Sequence, residues 1–217
     1  VALFILRRYR AAGEVAFMIR RIRVIVQYDG TNYVGWQVQE NGISVQQRLN
    51  EAAKAITGEQ IQFHGSGRTD SGVHANAQVA HFDTNVRMPA DKFAIALNMR
   101  LPRDSRVLYS EEAPEDFHSR FSAKNKTYRY TVQTGLHADV FTRTTALHVH
   151  TALDVPRMQR AAAFALGEHD FSAFMSAGCT IENTVRTVSK SEWTQNGKYL
   201  YYDVSANGFL YNMVRIL

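Results

Sequence analysis

Ile22, Val24, Val26 and Tyr28 alternate with Arg23, Ile25 and Gln27, the period of a half-buried β-strand, and Asp29-Gly30 turns the chain after them. From Ser44 the period changes. Ser44 with Gln47 forms a capping box, Val45, Leu49, Ala52, Ala53 and Ile56 recur on one helical face, and Gly58 stops the helix. Gln60 to His64 and Gln78 to Asp83 predict short strands. A second helix is expected from about Pro89 to Met99, with Pro89 near its first position and Pro102 beyond its end, followed by a strand near Arg106 to Ser110. This half reads β-α-β-β-α-β.

After Pro114 the pattern restarts. Strands are expected at Thr127 to Gln133 and Thr145 to Val149, then a helix from Asp154 with Pro156 in its first turn and Gly167 as its stop. Val188 to Thr194 and Tyr199 to Ser205 flank Gln195-Asn196-Gly197-Lys198, whose Asn-Gly pair predicts a hairpin because both residues tolerate positive φ. Phe209, Met213 and Ile216 lie near helical spacing and read as the start of an apolar helix, with no stop signal before Leu217. The class is α+β: antiparallel strands with helices on one face, in two similar-sized halves, 18–115 and 116–217. The second half reads as cut short at its end.

Composition narrows the function. The chain of 217 residues is 45% hydrophobic, which fits a folded core and argues against disorder or fibre. Its single cysteine, Cys179, excludes an intramolecular disulfide framework and a multi-cysteine zinc site, reads as a structural thiol, and suits a reducing, cytoplasmic setting. The apolar run Val1 to Leu6 is cut by Arg7, Arg8 and Arg10, far short of the roughly 20 residues of a membrane span, and its charges follow the run, the reverse of a secretory signal. Met18 is the first plausible start, so residues 1–17 read as a non-native or disordered extension. The net charge of +5 permits a nucleic-acid partner.

The most unusual stretch is Gly65-Ser66-Gly67-Arg68-Thr69-Asp70-Ser71-Gly72-Val73-His74, between two expected strands. Val73 and His74 stand where a P-loop needs its lysine and hydroxyl residue, and Asp70 stands where a dinucleotide-binding loop needs its third glycine. What remains is Arg68-Thr69-Asp70 in a backbone that Gly65, Gly67 and Gly72 allow to bend and expose. On composition alone it is a turn whose Asp70 hydrogen-bonds nearby amides, or an acid held out for chemistry. Lys124, Lys126 and Arg129 interleave with Tyr128 and Tyr130 as a nucleic-acid surface does. Strand alternation puts Tyr128, Tyr130 and Val132 on one face, so a core role for the tyrosines is equally open. His148 and His150 share a strand face, but no carboxylate or cysteine completes a ligand set, so no metal is expected. Trp36 with Tyr33 and Gly35 reads as loop packing.

Gly67-Arg68-Thr69-Asp70-Ser71-Gly72-Val73-His74-Ala75 resembles the catalytic loop of the bacterial TruA family of tRNA pseudouridine synthases. Tyr28-Asp29-Gly30, Gly35-Trp36-Gln37, Ser44-Val45-Gln46, Phe117-His118-Ser119-Arg120-Phe121, Tyr128-Arg129-Tyr130, Gly167-Glu168-His169-Asp170-Phe171 and Asn212-Met213-Val214-Arg215 resemble further family blocks, in the family's order. The resemblance implies two ferredoxin-like halves around a central basic cleft, and conversion of uridine to pseudouridine in the tRNA anticodon stem-loop, at positions 38 to 40, without metal or organic cofactor. It also implies a homodimer in which each tRNA is shared.

By the same resemblance Asp70 is the nucleophile or base of the reaction, Arg68 fills the space of a flipped nucleotide, and Tyr128 stacks on uracil or accepts the C5 proton. Arg215 forms a buried, two-pronged pair with the aspartate, keeping it charged and fixing its rotamer. Attack at ribose C1′, addition at uracil C6 and proton abstraction leading to a glycal are all open as first steps. The rival from another class is a non-catalytic tRNA-binding module, although the aromatic signature of RNA recognition motifs is missing. A metal-dependent hydrolase using His74, His81 and Asp70 is a distant third.

Overall fold

The computed structural model describes residues 19–178 and 181–217; the extension read at 1–17 and the thiol of Cys179 lie outside the described residues. β1 (Arg20–Tyr28) pairs antiparallel with β3 (Ala75–Thr84) and β4 (Ser105–Ala113), and β2 (His64–Gly65) extends the β3 edge, giving the order β2-β3-β1-β4. With α1 (Val45–Thr57) after β1 and α2 (Lys92–Asn98) after β3, this is the ferredoxin-like connectivity. Ile22, Val24 and Val26 are fully buried beneath the two helices, in one core with Leu49, Phe63, Phe82, Phe93 and Leu97. Ser44 caps α1 by accepting from the Gln47 N–H, and Gly58 closes it at φ 75°.

β5 (Lys126–Thr134), β6 (Leu147–Val149), α3 (Val155–Ala163), β7 (Gly167–Asp170), β8 (Val185–Asn196), β9 (Tyr199–Ala206) and α4 (Met213–Ile216) build the second unit. Its sheet runs β6-β5-β9-β8-β7. Tyr202 and Val204 share a face with Tyr128 and Tyr130, directly opposite them on β5. The outward face is charged: Asp203 is held at about 2 by the hydrogen-bonding guanidinium of Arg129, helped by Lys190.

The structure corrects several expectations. The strand expected at Gln60 to His64 shrinks to His64–Gly65, because Phe63 spends its backbone on α1 instead: its N–H donates to Asn50 Oδ1 (3.0 Å) and its carbonyl accepts from Gln46 Nε2 (2.7 Å). The second helix starts at Lys92 rather than Pro89, whose carbonyl instead accepts the Lys92 N–H. The second sheet is mixed rather than antiparallel. β5 and β6 run parallel, and residues 135–146 supply the dozen-residue crossover that parallel pairing needs. At the hairpin, Asn196 pairs with Tyr199, so Gly197-Lys198 forms the turn, and only Gly197 has positive φ, +58°. β7 was not anticipated. His150 falls beyond the end of β6, which separates it from His148. The helix expected from Phe209 is delayed to Met213, and Ile216 is exposed rather than on a shared apolar face.

Residues 114–122 join the units and dock on the first sheet's open face. Arg21 Nη1 donates to the carbonyls of Glu115 (2.5 Å) and Phe117 (2.8 Å), the Ser119 N–H donates to His81 Nδ1 (3.2 Å), and Ser119 Oγ donates to the His64 carbonyl (2.6 Å). His81 is buried, stacked on His64 with His118 at its edge. Burial first, then the neighbouring His118, His64 and Arg21, push it down from 6.5 to about 4, against a small opposing pull from Asp83. A folded-state value below the unfolded one means that the unfolded chain takes up the proton first, so stability is lost as pH falls from 6.5 towards 4. Urea midpoints measured between pH 7.5 and 4.5 are expected to fall, and His81→Gln to flatten that slope.

Candidate active site

β2 and β3 are the two rails of the Gly65–His74 loop, and the segment just after β1 grips it from beneath. Trp36 N–H donates to the Thr69 carbonyl (3.0 Å), Gly72 N–H donates to the Tyr33 carbonyl (3.2 Å), and the Tyr28 hydroxyl lies 2.8 Å from Thr69 Oγ1. Burial raises that phenol to about 12, so it is a neutral hydrogen-bonding group at any physiological pH. Gln78 Nε2 donates to the Gly67 carbonyl (2.5 Å) from β3. Trp36, 3% exposed, lies against Gly65, where an added Cβ would come within 2.6 Å of the indole. The three loop glycines therefore differ in purpose. Gly65 permits close approach, Gly72 supplies positive φ (+77°), and Gly67 needs neither.

This framework leaves Asp70 at the mouth of a cleft of about 1460 Å³ walled by residues of both units. That volume exceeds the usual 300–1,000 Å³ of a small-ligand pocket and suits part of a macromolecule. Arg215 crosses from α4, its Nε donating to Asp70 Oδ2 at 3.0 Å. The pair is single-pronged and open, with side chains 56% and 46% exposed, which corrects the expectation of a buried, two-pronged pair. Asn212, at φ 60° and tied through Nδ2 to Ser176 Oγ (3.0 Å), begins the turn that aims Arg215. Asparagine is among the few side chains that tolerate this conformation.

From β5, Lys126 and Tyr128 meet the loop at Gly67, with Lys126 Nζ 3.7 Å and the Tyr128 hydroxyl 4.0 Å from the position of its absent Cβ. Burial and then the charge of Asp70 push the Tyr128 phenol up, so it stays protonated and suits stacking or hydrogen bonding better than proton abstraction. Phe209 braces its ring edge-on, with centroids 5.1 Å apart. Burial, then Arg120, push the Lys126 ammonium down. Arg68 lines the cleft with no ion pair among the described residues.

Two basic residues separate from this group. Arg129 borders the cleft, but its guanidinium is committed to Asp203 at 2.7 and 2.8 Å and lies over the Tyr201 ring on the outward face. Lys124 is exposed and off the cleft wall. Among the described wall residues Asp70 is the sole acid, against Arg68, Arg120, Lys126, Arg129 and Arg215. Sequence reasoning missed Gln78, Phe209 and the Tyr28 hydroxyl as site supports, since each reads as an ordinary strand or apolar position. His74 accepts from the Gly30 N–H at Nδ1 and meets the Thr144 carbonyl at Nε2, which clips the units together. No group of three His, Cys, Asp or Glu that could hold a metal occurs among the described residues.

A family profile described as tRNA pseudouridine synthase matches residues 24–122 and 161–217. The chain belongs to this family. It is similar to the tRNA pseudouridine synthase A of Ruminiclostridium cellulolyticum, 46% identical over 200 residues that cover 92% of this chain and 82% of that protein. The tRNA pseudouridine synthase A of Halalkalibacterium halodurans is 48% identical over 200 residues, covering 92% and 76%. The tRNA pseudouridine synthase A 2 of Clostridium perfringens is 44% identical over 199 residues, covering 92% and 82%. Family membership makes the chain a tRNA pseudouridine synthase, an isomerase, and disfavours the non-catalytic binding module.

Because Trp36 is enclosed and cannot retreat, Gly65→Ala is expected to cost about 1–3 kcal/mol and to slow turnover by shifting the Asp70 loop. Urea denaturation alongside single-turnover kinetics checks both effects.

Proposed function

We propose that this chain isomerises uridine to pseudouridine in the tRNA anticodon stem-loop, at positions 38, 39 and 40, with Asp70 as the essential carboxylate. One observation carries the proposal: Asp70 is the sole acid on the described wall of a basic, aromatic cleft, held by Arg215 from the other unit and facing Tyr128. A site built only to bind phosphate has no use for a carboxylate.

The reaction breaks the N1–C1′ bond, turns the uracil, forms C5–C1′, and moves the C5 proton off as N1 gains one. Nothing is oxidised overall, so no redox group is called for. An ionised aspartate serves each open first step: attack at C1′, addition at C6, or proton abstraction towards a glycal. A base inside a stem must first be flipped out, at a cost of a few kcal/mol. Arg68, with no ion pair among the described residues and two positions from Asp70, fills the vacated space or holds the phosphates. Tyr128 stacks on the flipped uracil, Lys126 meets its backbone, and Arg215 fixes the carboxylate rotamer. Lys124 and Arg129 contribute at most through the wider positive field.

A homodimer that shares each tRNA belongs to the same proposal, supported by the exposed apolar side chains of Leu136, Val140 and Phe141 on the 135–146 connection. No described helix is long and apolar enough to cross a membrane, and a tRNA substrate suits cytoplasmic work.

Tritium release from tRNA labelled at uridine C5 reports the new carbon–carbon link directly. The wild-type protein is expected to release label, and Asp70→Asn to slow release by more than about 10³-fold. Release by Asp70→Asn at the wild-type rate would reject the assignment.

A further inference from the structure

Phe121 projects from the rim of the same cleft, 77% exposed. Exposure alone decides nothing, since Phe141 and Phe164 are more exposed still. Phe121 differs in its neighbours. The His118 ring lies 4.4 Å from its centroid at a 35° tilt, and the Arg120 guanidinium sits 5.6 Å above it. All three side chains line the cleft that holds Asp70, and Arg120 has no ion pair among the described residues.

The backbone beneath this trio is fixed. Ser119 is buried and anchored to His81 and His64, Arg21 holds the carbonyls of Glu115 and Phe117, and the Ser122 N–H donates to the His118 carbonyl (2.8 Å). The His118 N–H donates to Ser122 Oγ (3.0 Å) and the Arg120 N–H to His118 Nδ1 (3.1 Å), so the imidazole orientation is set by the chain itself. A loop with so many anchors holds an apolar ring in water at its tip, where ordering on binding costs little.

We propose that Phe121, flanked by His118 and Arg120, is a stacking platform for an unpaired nucleobase of the RNA next to the target uridine, with Arg120 meeting that nucleotide's phosphate. The occupant follows from charge and continuity. The platform adjoins a cleft whose described wall presents Arg68, Arg120, Lys126 and Arg215 against the single acid Asp70, which selects a polyanion over an apolar peptide, and an aromatic face with a cation above it is how single-stranded bases are held. Burial, then His64, Arg21 and Arg120, push His118 down, so near neutral pH its ring is an uncharged stacking partner. The proposal rests on the cleft taking a uridine flipped from RNA, because only then does a base beside the target lose its stacking neighbour within reach.

The test uses the intact protein and anticodon stem-loop RNAs in which each nucleotide flanking the target is made abasic in turn. Phe121→Ala is expected to weaken binding of the unmodified RNA by roughly 5- to 100-fold, with Phe121→Trp close to wild type. On one abasic RNA, wild type and Phe121→Ala are expected to bind alike, because the stacked base is already gone. An equal Phe121→Ala penalty on every abasic RNA, no penalty on the unmodified RNA, or Phe121→Trp as weak as Phe121→Ala would overturn the platform. Pseudouridine formation by the wild type separates the two claims: coupling without product keeps the platform and rejects the isomerase proposal, and product without coupling does the reverse.

Discussion

Asp70 and Arg215 lie 145 residues apart in sequence and meet across the cleft through one hydrogen bond. The rest of the site is arranged so that this contact can exist. One unit spends a strand-joining loop, an enclosed indole and a buried tyrosine on presenting the carboxylate. The other spends an asparagine at positive φ and a helical turn on presenting the guanidinium. The linker of residues 114–122 and the His74 clip hold the two presentations together.

The pair does little for stability. Both side chains are about half exposed, and ion pairs this open to water contribute roughly 0–1 kcal/mol. Its value is geometric. One donor on one oxygen fixes the rotamer, and the other oxygen accepts no side-chain hydrogen bond among the described residues. The raised phenol of Tyr128 completes the division of labour: one group carries the negative charge and its neighbour stays neutral.

Much of the first unit was legible because its signals are local. The alternation of Ile22, Val24 and Val26, the Ser44 cap and the Gly58 stop each express a short-range rule, and each element formed where those rules put it. Failures came where a long-range partner won. Phe63 left its expected strand for the side chains of α1, and β6 turned parallel on a crossover that periodicity does not reveal. At the site, motif resemblance pointed to Asp70, Tyr128 and Arg215, which the fold brings to one cleft, while alternation along β5 grouped Tyr128 with Tyr130 and left open whether their face was core or cleft. That alternation equally requires Arg129 to point away from Lys126, where Asp203 waits opposite it on β9. The openness of the Asp70–Arg215 pair depends on how two units sit together, which no single segment encodes.

Arg215→Lys tests the central claim most directly. It keeps the charge and removes the Nε donor that touches Asp70, so single-turnover pseudouridine formation and tRNA affinity should separate. If the contact orients the carboxylate, the rate falls by at least about tenfold, while affinity stays within about twofold because the positive field is retained. An unchanged rate, or a rate loss that a matching loss of affinity fully explains, would contradict it.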